Sequence, residues 1–109
     1  MKQNGVCSAQ MEVEFKDQTY DRLETDSSFT MGFQANIVTL YRKRLALIRA
    51  APDERDFYGL KGLRFEKLKG DRAGQYSMRL NDQWRLIIEF SKSEKGKVVV
   101  VISVVDYHK

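Results

Sequence analysis

The sequence predicts an α+β domain: two N-terminal helices packed on one face of a largely antiparallel sheet of four to five strands. Three observations carry this. Apolar residues recur at three- and four-residue spacing across residues 33–51, the repeat of an amphipathic helix. Two strand-like runs lie on either side of Asn81-Asp82-Gln83, as in an antiparallel hairpin. Residues 98–105 are rich in β-branched side chains, as a buried strand requires. Helices first and consecutive strands after them give an α+β order rather than alternating βα units.

Taken in order, residues 1–10 are polar and aperiodic, and read as an extension or tail ahead of a single domain spanning 11–109. Met11 reads as a candidate alternative start. From Met11 to Phe15, apolar and acidic residues alternate, which predicts a short strand with one wet face. Asp17 is a suitable N-cap for a short helix over 18–25, with Tyr20 and Leu23 three apart. Asp26-Ser27-Ser28 ends it. In the second helix, Phe33, Ile37, Leu40, Tyr41, Leu45, Leu47 and Ile48 form the apolar stripe, and Pro52 closes it. Arg42, Lys43, Arg44 and Arg49 lie toward its end, where cations suit the helix dipole; stability rather than RNA contact is the expectation.

Asp53 to Asp56 is a charged connector, 57–60 a turn or short helix, and 63–68 an expected strand. In Tyr76-Ser77-Met78-Arg79-Leu80, Tyr, Met and Leu fall on one face and Ser and Arg on the other. A second strand begins at Trp84 and runs through Leu86-Ile87-Ile88 to Phe90. Residues 91–97 read as a polar loop containing Gly96.

The chain has 109 residues, 42% of them hydrophobic and 31% charged, enough for one domain with a modest core. Its charge of +4 is uneven: residues 1–60 carry eight Lys/Arg and nine Asp/Glu, whereas 61–109 carry eleven and six. A basic C-terminal half points to an anionic partner such as nucleic acid. No apolar run is long enough to span a membrane, and residues 1–10 lack the apolar core of a secretion signal. With one cysteine, Cys7, there is no internal disulfide and no cysteine-built zinc site, which fits the cytoplasm. One histidine far from that cysteine makes a poor metal nest, and no phosphate-binding glycine loop opens a helix. No cofactor is expected.

The candidates for chemistry are then the basic loop Lys69-Gly70-Asp71-Arg72-Ala73-Gly74, the arginines Arg79 and Arg85 flanking the hairpin turn, and the terminal Asp106-Tyr107-His108. That terminus places a carboxylate, a phenol and an imidazole in a row just after a buried strand, and imidazole suits acid–base work near neutral pH.

The run Leu-Lys-Gly-Asp-Arg-Ala-Gly-Gln-Tyr-Ser-Met-Arg-Leu-Asn-Asp-Gln-Trp-Arg at 68–85, with the final Val-Asp-Tyr-His, closely resembles the HigB toxins of the RelE/ParE superfamily. The resemblance extends from about Met11 to His108. It implies a RelE/ParE-like fold and a toxin of a toxin–antitoxin module: a ribosome-dependent endoribonuclease that cuts mRNA in the decoding site by metal-independent acid–base catalysis. It implies partners in the 70S ribosome, mRNA and a cognate helix-turn-helix (HigA-like) antitoxin, with operator DNA reached only through that antitoxin. By motif, Asp106, Tyr107, His108 and Lys69 match the family's catalytic positions. Glu66 stands where some members have a further histidine and is a candidate base. Arg85, with Arg72, Arg79 and Lys67, is a candidate for phosphate or RNA binding. Two other functions remain open on the same fold: a ParE-like inhibitor of DNA gyrase and a non-catalytic RNA-binding module.

Overall fold

The computed structural model describes residues 11–94 and 96–106. The expected tail at 1–10, and the candidates Tyr107 and His108, lie outside the described residues. Chain order is β1 (Glu12–Phe15), α1 (Gln18–Thr25), α2 (Ala35–Ala50), a four-residue helix α3 (Arg55–Tyr58), β2 (Glu66–Lys67), β3 (Gln75–Arg79), β4 (Trp84–Ser93) and β5 (Gly96–Asp106). The strands form one sheet in the order β1-β5-β4-β3-β2. All neighbours are antiparallel except β1, which runs parallel to β5 and pairs Phe15 with Val101.

Local chemistry accounts for the elements near the start. The Asp17 side chain accepts from the Thr19 N–H at 2.9 Å and so caps α1. A bond from the Thr19 hydroxyl, and then the one from its N–H, hold the Asp17 carboxyl below its usual range. The second helix starts later than its apolar pattern does. Gln34 is its N-cap, and Phe33 turns aside to meet Trp84 edge-to-face at 5.4 Å between ring centres.

One apolar face of α2 (Ile37, Val38, Tyr41, Leu45 and Ile48) packs with Tyr20 and Leu23 of α1 against Met78, Leu86, Ile88, Val99, Val101 and Val104 of the sheet. Two tyrosines join the layers through polar atoms as well. The Tyr41 hydroxyl donates to the Tyr20 carbonyl at 2.8 Å, and burial pushes the Tyr41 phenol well above its usual range. The Tyr20 hydroxyl in turn accepts from the Val104 N–H at 3.1 Å. Val104 lies beyond Val101, the last β5 residue with a partner in β1, so the hydroxyl completes a ladder that the short strand leaves open.

The β5 strand contains a register shift. Ile87 faces Ser103 whereas Ile88 faces Val101, so Ile102 is an extra residue. Without it, the strict alternation of a strand would turn Ser103 rather than Val104 into the core.

Two expectations are corrected. The strand expected over 63–68 is only two residues long. A 3₁₀ turn at Lys61–Leu63 precedes it, and Arg64 sits in the left-handed region at φ 45°, ψ 49°, which breaks extended pairing before Glu66. The polar loop expected over 91–97 is mostly strand: β4 continues to Ser93, which faces Gly96. The arginines of α2 also bond other elements of the fold, a structural role beyond their own helix dipole. Arg42 donates to the carbonyls of Leu23 (2.9 Å), Asp26 (2.8 Å) and Phe29 (3.3 Å), and thereby closes the C-terminus of α1. Arg49 forms a two-point pair with Glu24 at 2.7 and 2.8 Å. No described helix is long and apolar enough to cross a membrane.

Candidate active site

The site is built by the β3–β4 hairpin. Asn81 sets the turn, because its side-chain oxygen accepts from the N–H groups of both Gln83 and Trp84 at 2.8 Å. Arg79 and Arg85 then face each other across the two strands. Strand alternation puts Tyr76, Met78, Leu86 and Ile88 on the helix side, so Ser77, Arg79, Arg85 and Ile87 point to the opposite face.

That open face has an ordered layout. One row across the sheet is Glu66, Ser77, Ile87 and Ser103; the next is Arg79, Arg85 and Val105. Successive rows on one face are about 7 Å apart. Glu66 and the two arginines therefore border the same stretch of surface.

Two facing guanidinium groups repel, and the structure offsets this by holding each one separately. Arg79 pairs through Nη2 with the exposed carboxylate of Asp82. Arg85 Nη1 donates to the Ser77 hydroxyl at 3.1 Å and the Arg64 carbonyl at 3.2 Å. From the other layer, Arg44 Nε donates to the Arg79 carbonyl at 2.9 Å, tying α2 to this strand. Burial, and then the charge of Arg79, pull the Arg44 guanidinium below its usual pKa.

Arg64, Arg79, Asn81, Asp82 and Arg85 line one cavity of about 180 Å³. Three guanidinium groups and one carboxylate around such a space suit a phosphate. Arg64 did not stand out in the sequence. Its only signal there is its place between two apolar residues, Leu63 and Phe65, both of which the fold buries.

The remaining candidates are placed as follows. Glu66 and Lys67 are exposed on the β2 edge strand, but Lys67 falls opposite Tyr76 and so on the helix side of the register. Lys69 is exposed and leads into the turn Gly70–Arg72, which Gly70 and Gly74 bound with φ of 67° and 93°. Arg72 reaches Gln75 at 3.2 Å, and Gln75 reaches Glu89 at 3.2 Å, making a polar chain one row beyond Ser77 and away from the arginine pair. Asp106 ends β5 opposite Trp84 and accepts from Gln83 Nε2 at 3.0 Å, on the other side of the register from Arg85. The structure therefore brings Arg79, Arg85 and Arg64 together, with Glu66 one row away. It leaves Arg72 and Lys67 to the side. Among the described residues, no group of three or more His, Cys, Asp and Glu side chains is arranged to hold a metal.

The fold is shared with bacterial and archaeal toxins of known structure. The YoeB/ParE toxin from Agrobacterium tumefaciens superposes with a TM-score of 0.57 at 22% identity, over 90% of this chain and all of that one. The RelE–RelB complex from Pyrococcus horikoshii matches with a TM-score of 0.56 at 18% identity, over 92% of this chain and 98% of that one. The architecture is therefore that of the RelE-type toxins. In sequence, the family model for the RelE-like toxin of type II toxin–antitoxin system HigB matches residues 13–108. Toxin HigB-1 of Vibrio cholerae is 32% identical over 80 residues, which cover 73% of this chain and 84% of that protein. The chain belongs to the HigB-like family of RelE-type toxins.

Proposed function

We propose that this toxin is an endoribonuclease that cuts mRNA in the decoding site of the 70S ribosome, using its own side chains rather than a metal. The observation that carries the reading is the cavity between Arg64, Arg79 and Arg85, on the open face of the sheet and one row from Glu66, in a member of this family. The reaction needs attack by a ribose 2′-hydroxyl on the adjacent phosphorus. As the new O–P bond forms, a base takes the hydroxyl proton; as the bond to the 5′-oxygen breaks, an acid protonates that oxygen. His108 serves as one of the two, with Glu66 or Asp106 as its complement. Tyr107 stacks on a base or orients the phosphate. Lys69 and Arg85 stabilise the charge that builds on the phosphorane-like transition state. Preorganised donors of this kind contribute on the order of 3 kcal/mol each.

A cognate helix-turn-helix antitoxin neutralises the toxin and links it to operator DNA. The family's type II systems, and the RelE–RelB complex with the same fold, support this partner. Action on ribosomes places the protein in the cytoplasm.

The test is cleavage of one defined mRNA, with and without programmed 70S ribosomes, mapped by primer extension. Wild type, His108→Ala and Lys69→Ala run side by side. Discrete cuts only with ribosomes, lost in both folded variants, are expected. Cuts on naked RNA would remove the ribosome requirement. Growth arrest without any RNA cut would turn the reading toward gyrase.

A further inference from the structure

Apart from tyrosine, Ser77 is the only residue with a polar side chain that is buried among the described residues. It sits mid-sheet on the face away from the helices, between Glu66 of β2 and Ile87 of β4. A buried hydroxyl in a row of strand residues contributes nothing to apolar packing that an alanine would lack. Its recorded partner is the guanidinium of Arg85, at 3.1 Å. The second acceptor for the same Nη1 is the carbonyl of Arg64, at 3.2 Å, presented by a residue held at φ 45°. Side chains other than glycine rarely adopt that backbone region, and it tends to persist where the surroundings impose it.

We infer that Ser77 and the Arg64 carbonyl form a cradle that positions the Arg85 guanidinium for the RNA phosphate, which makes Ser77 a positioning residue for cleavage. This rests on the reading of Arg85 as a phosphate-binding group. An arginine Nη carries two hydrogens, and here Nη1 donates to two acceptors from separate segments of the chain. Two such anchors restrict the plane of the guanidinium. Its Nε–Nη2 edge, the fork that matches two phosphate oxygens, then has one orientation rather than many. The cradle also opposes the repulsion from Arg79, which faces Arg85 across the hairpin. The site has no exposed surface, and what serine adds there beyond alanine is the acceptor oxygen that Arg85 uses.

Two readouts test the cradle. The first is NMR of the arginine side chains in the wild-type protein, with Arg85 assigned by comparison with Arg85→Lys. Slow rotation of the Arg85 guanidinium relative to Arg55, which is largely exposed, is expected. Unrestricted rotation would overturn the proposal without any need for a variant at Ser77. The second is single-turnover cleavage on programmed ribosomes by Ser77→Ala, Ser77→Thr, Arg85→Ala and the Ser77→Ala/Arg85→Ala double variant, each checked by thermal melting. Ser77→Ala should lower kcat roughly ten- to a hundredfold, as displacement of a positioned group does, with KM little changed. Ser77→Thr, which keeps the hydroxyl, should retain more activity than Ser77→Ala. The double variant should be no slower than Arg85→Ala. Loss in Arg85→Ala with full activity in Ser77→Ala would overturn the cradle and leave Arg85 as a phosphate ligand. Full activity in Arg85→Ala would instead overturn the underlying assignment, and the cradle with it.

Discussion

Replacing Arg42 with methionine removes the group that closes the C-terminus of α1 while keeping much of the apolar stem. The guanidinium donates to three carbonyls, that of Leu23 within α1 and those of Asp26 and Phe29 in the connection after it. Hydrogen bonds to a charged group contribute about 1.5–3 kcal/mol each when well formed. The 3.3 Å bond is the weakest of the three, and the site is only partly buried, so solvent can replace some of what is lost. A total loss of roughly 2–3 kcal/mol is expected. In a domain of about 100 residues this lowers Tm by roughly 10–20 °C. Urea denaturation with an unchanged slope is the assay, and Lys43→Ala, an exposed neighbour, is the control, expected within about 0.5 kcal/mol of wild type. A shift for Arg42→Met no larger than the control's would refute the stapling role. Loss of RNA cleavage by a fully folded Arg42→Met protein would assign the residue to the substrate instead.

Other expectations follow from the same structure. Tyr20→Phe leaves the buried Val104 N–H without its acceptor and should cost about 1–3 kcal/mol, read by chemical denaturation; no change would mean that water reaches that amide. Lys69→Ala and Arg85→Ala should each lower single-turnover cleavage on ribosomes by about 10²–10³ if they stabilise the transition state, with melting temperatures near wild type for Lys69→Ala. Asp17 has its pKa lowered by its bonds to Thr19, so its contribution to stability is complete above the ordinary carboxylate value of 3.8 and fades as pH falls through the lower folded value. Asp17→Asn keeps a capping oxygen but cannot titrate, so its Tm should fall less steeply than wild type's below about pH 4; parallel acid limbs would show that the cap's charge does not matter.

Elements with local causes were legible in the chain. The α1 boundaries followed from Asp17 and Asp26, and the hairpin turn from Asn81, because each of these side chains bonds backbone within three residues of itself. The two faces of β3 followed from the alternation of Tyr76, Ser77, Met78 and Arg79, since a strand's side chains reverse at each step. The motifs around Trp84-Arg85 and Asp106 also marked the family that the whole-chain comparisons support.

Tertiary structure decided what depends on partners distant in sequence. Pairing of β1 with β5 brings together residues more than 80 positions apart, and nothing in Met11 to Phe15 states whether that pairing is parallel. The extra residue at Ile102 is hidden in a run of valines, where alternation carries no polar mark to betray a shift of register. The arginines of α2 acquire their roles from carbonyls on α1 and β3, acceptors that every residue carries and no sequence pattern distinguishes. The site shows the same division. By itself the sequence determined that cations flank a hairpin turn. Folding determined that Arg79 and Arg85 share one face, that a left-handed Arg64 joins them, and that a buried serine holds one of them, because each of these is a meeting of separate strands fixed by register.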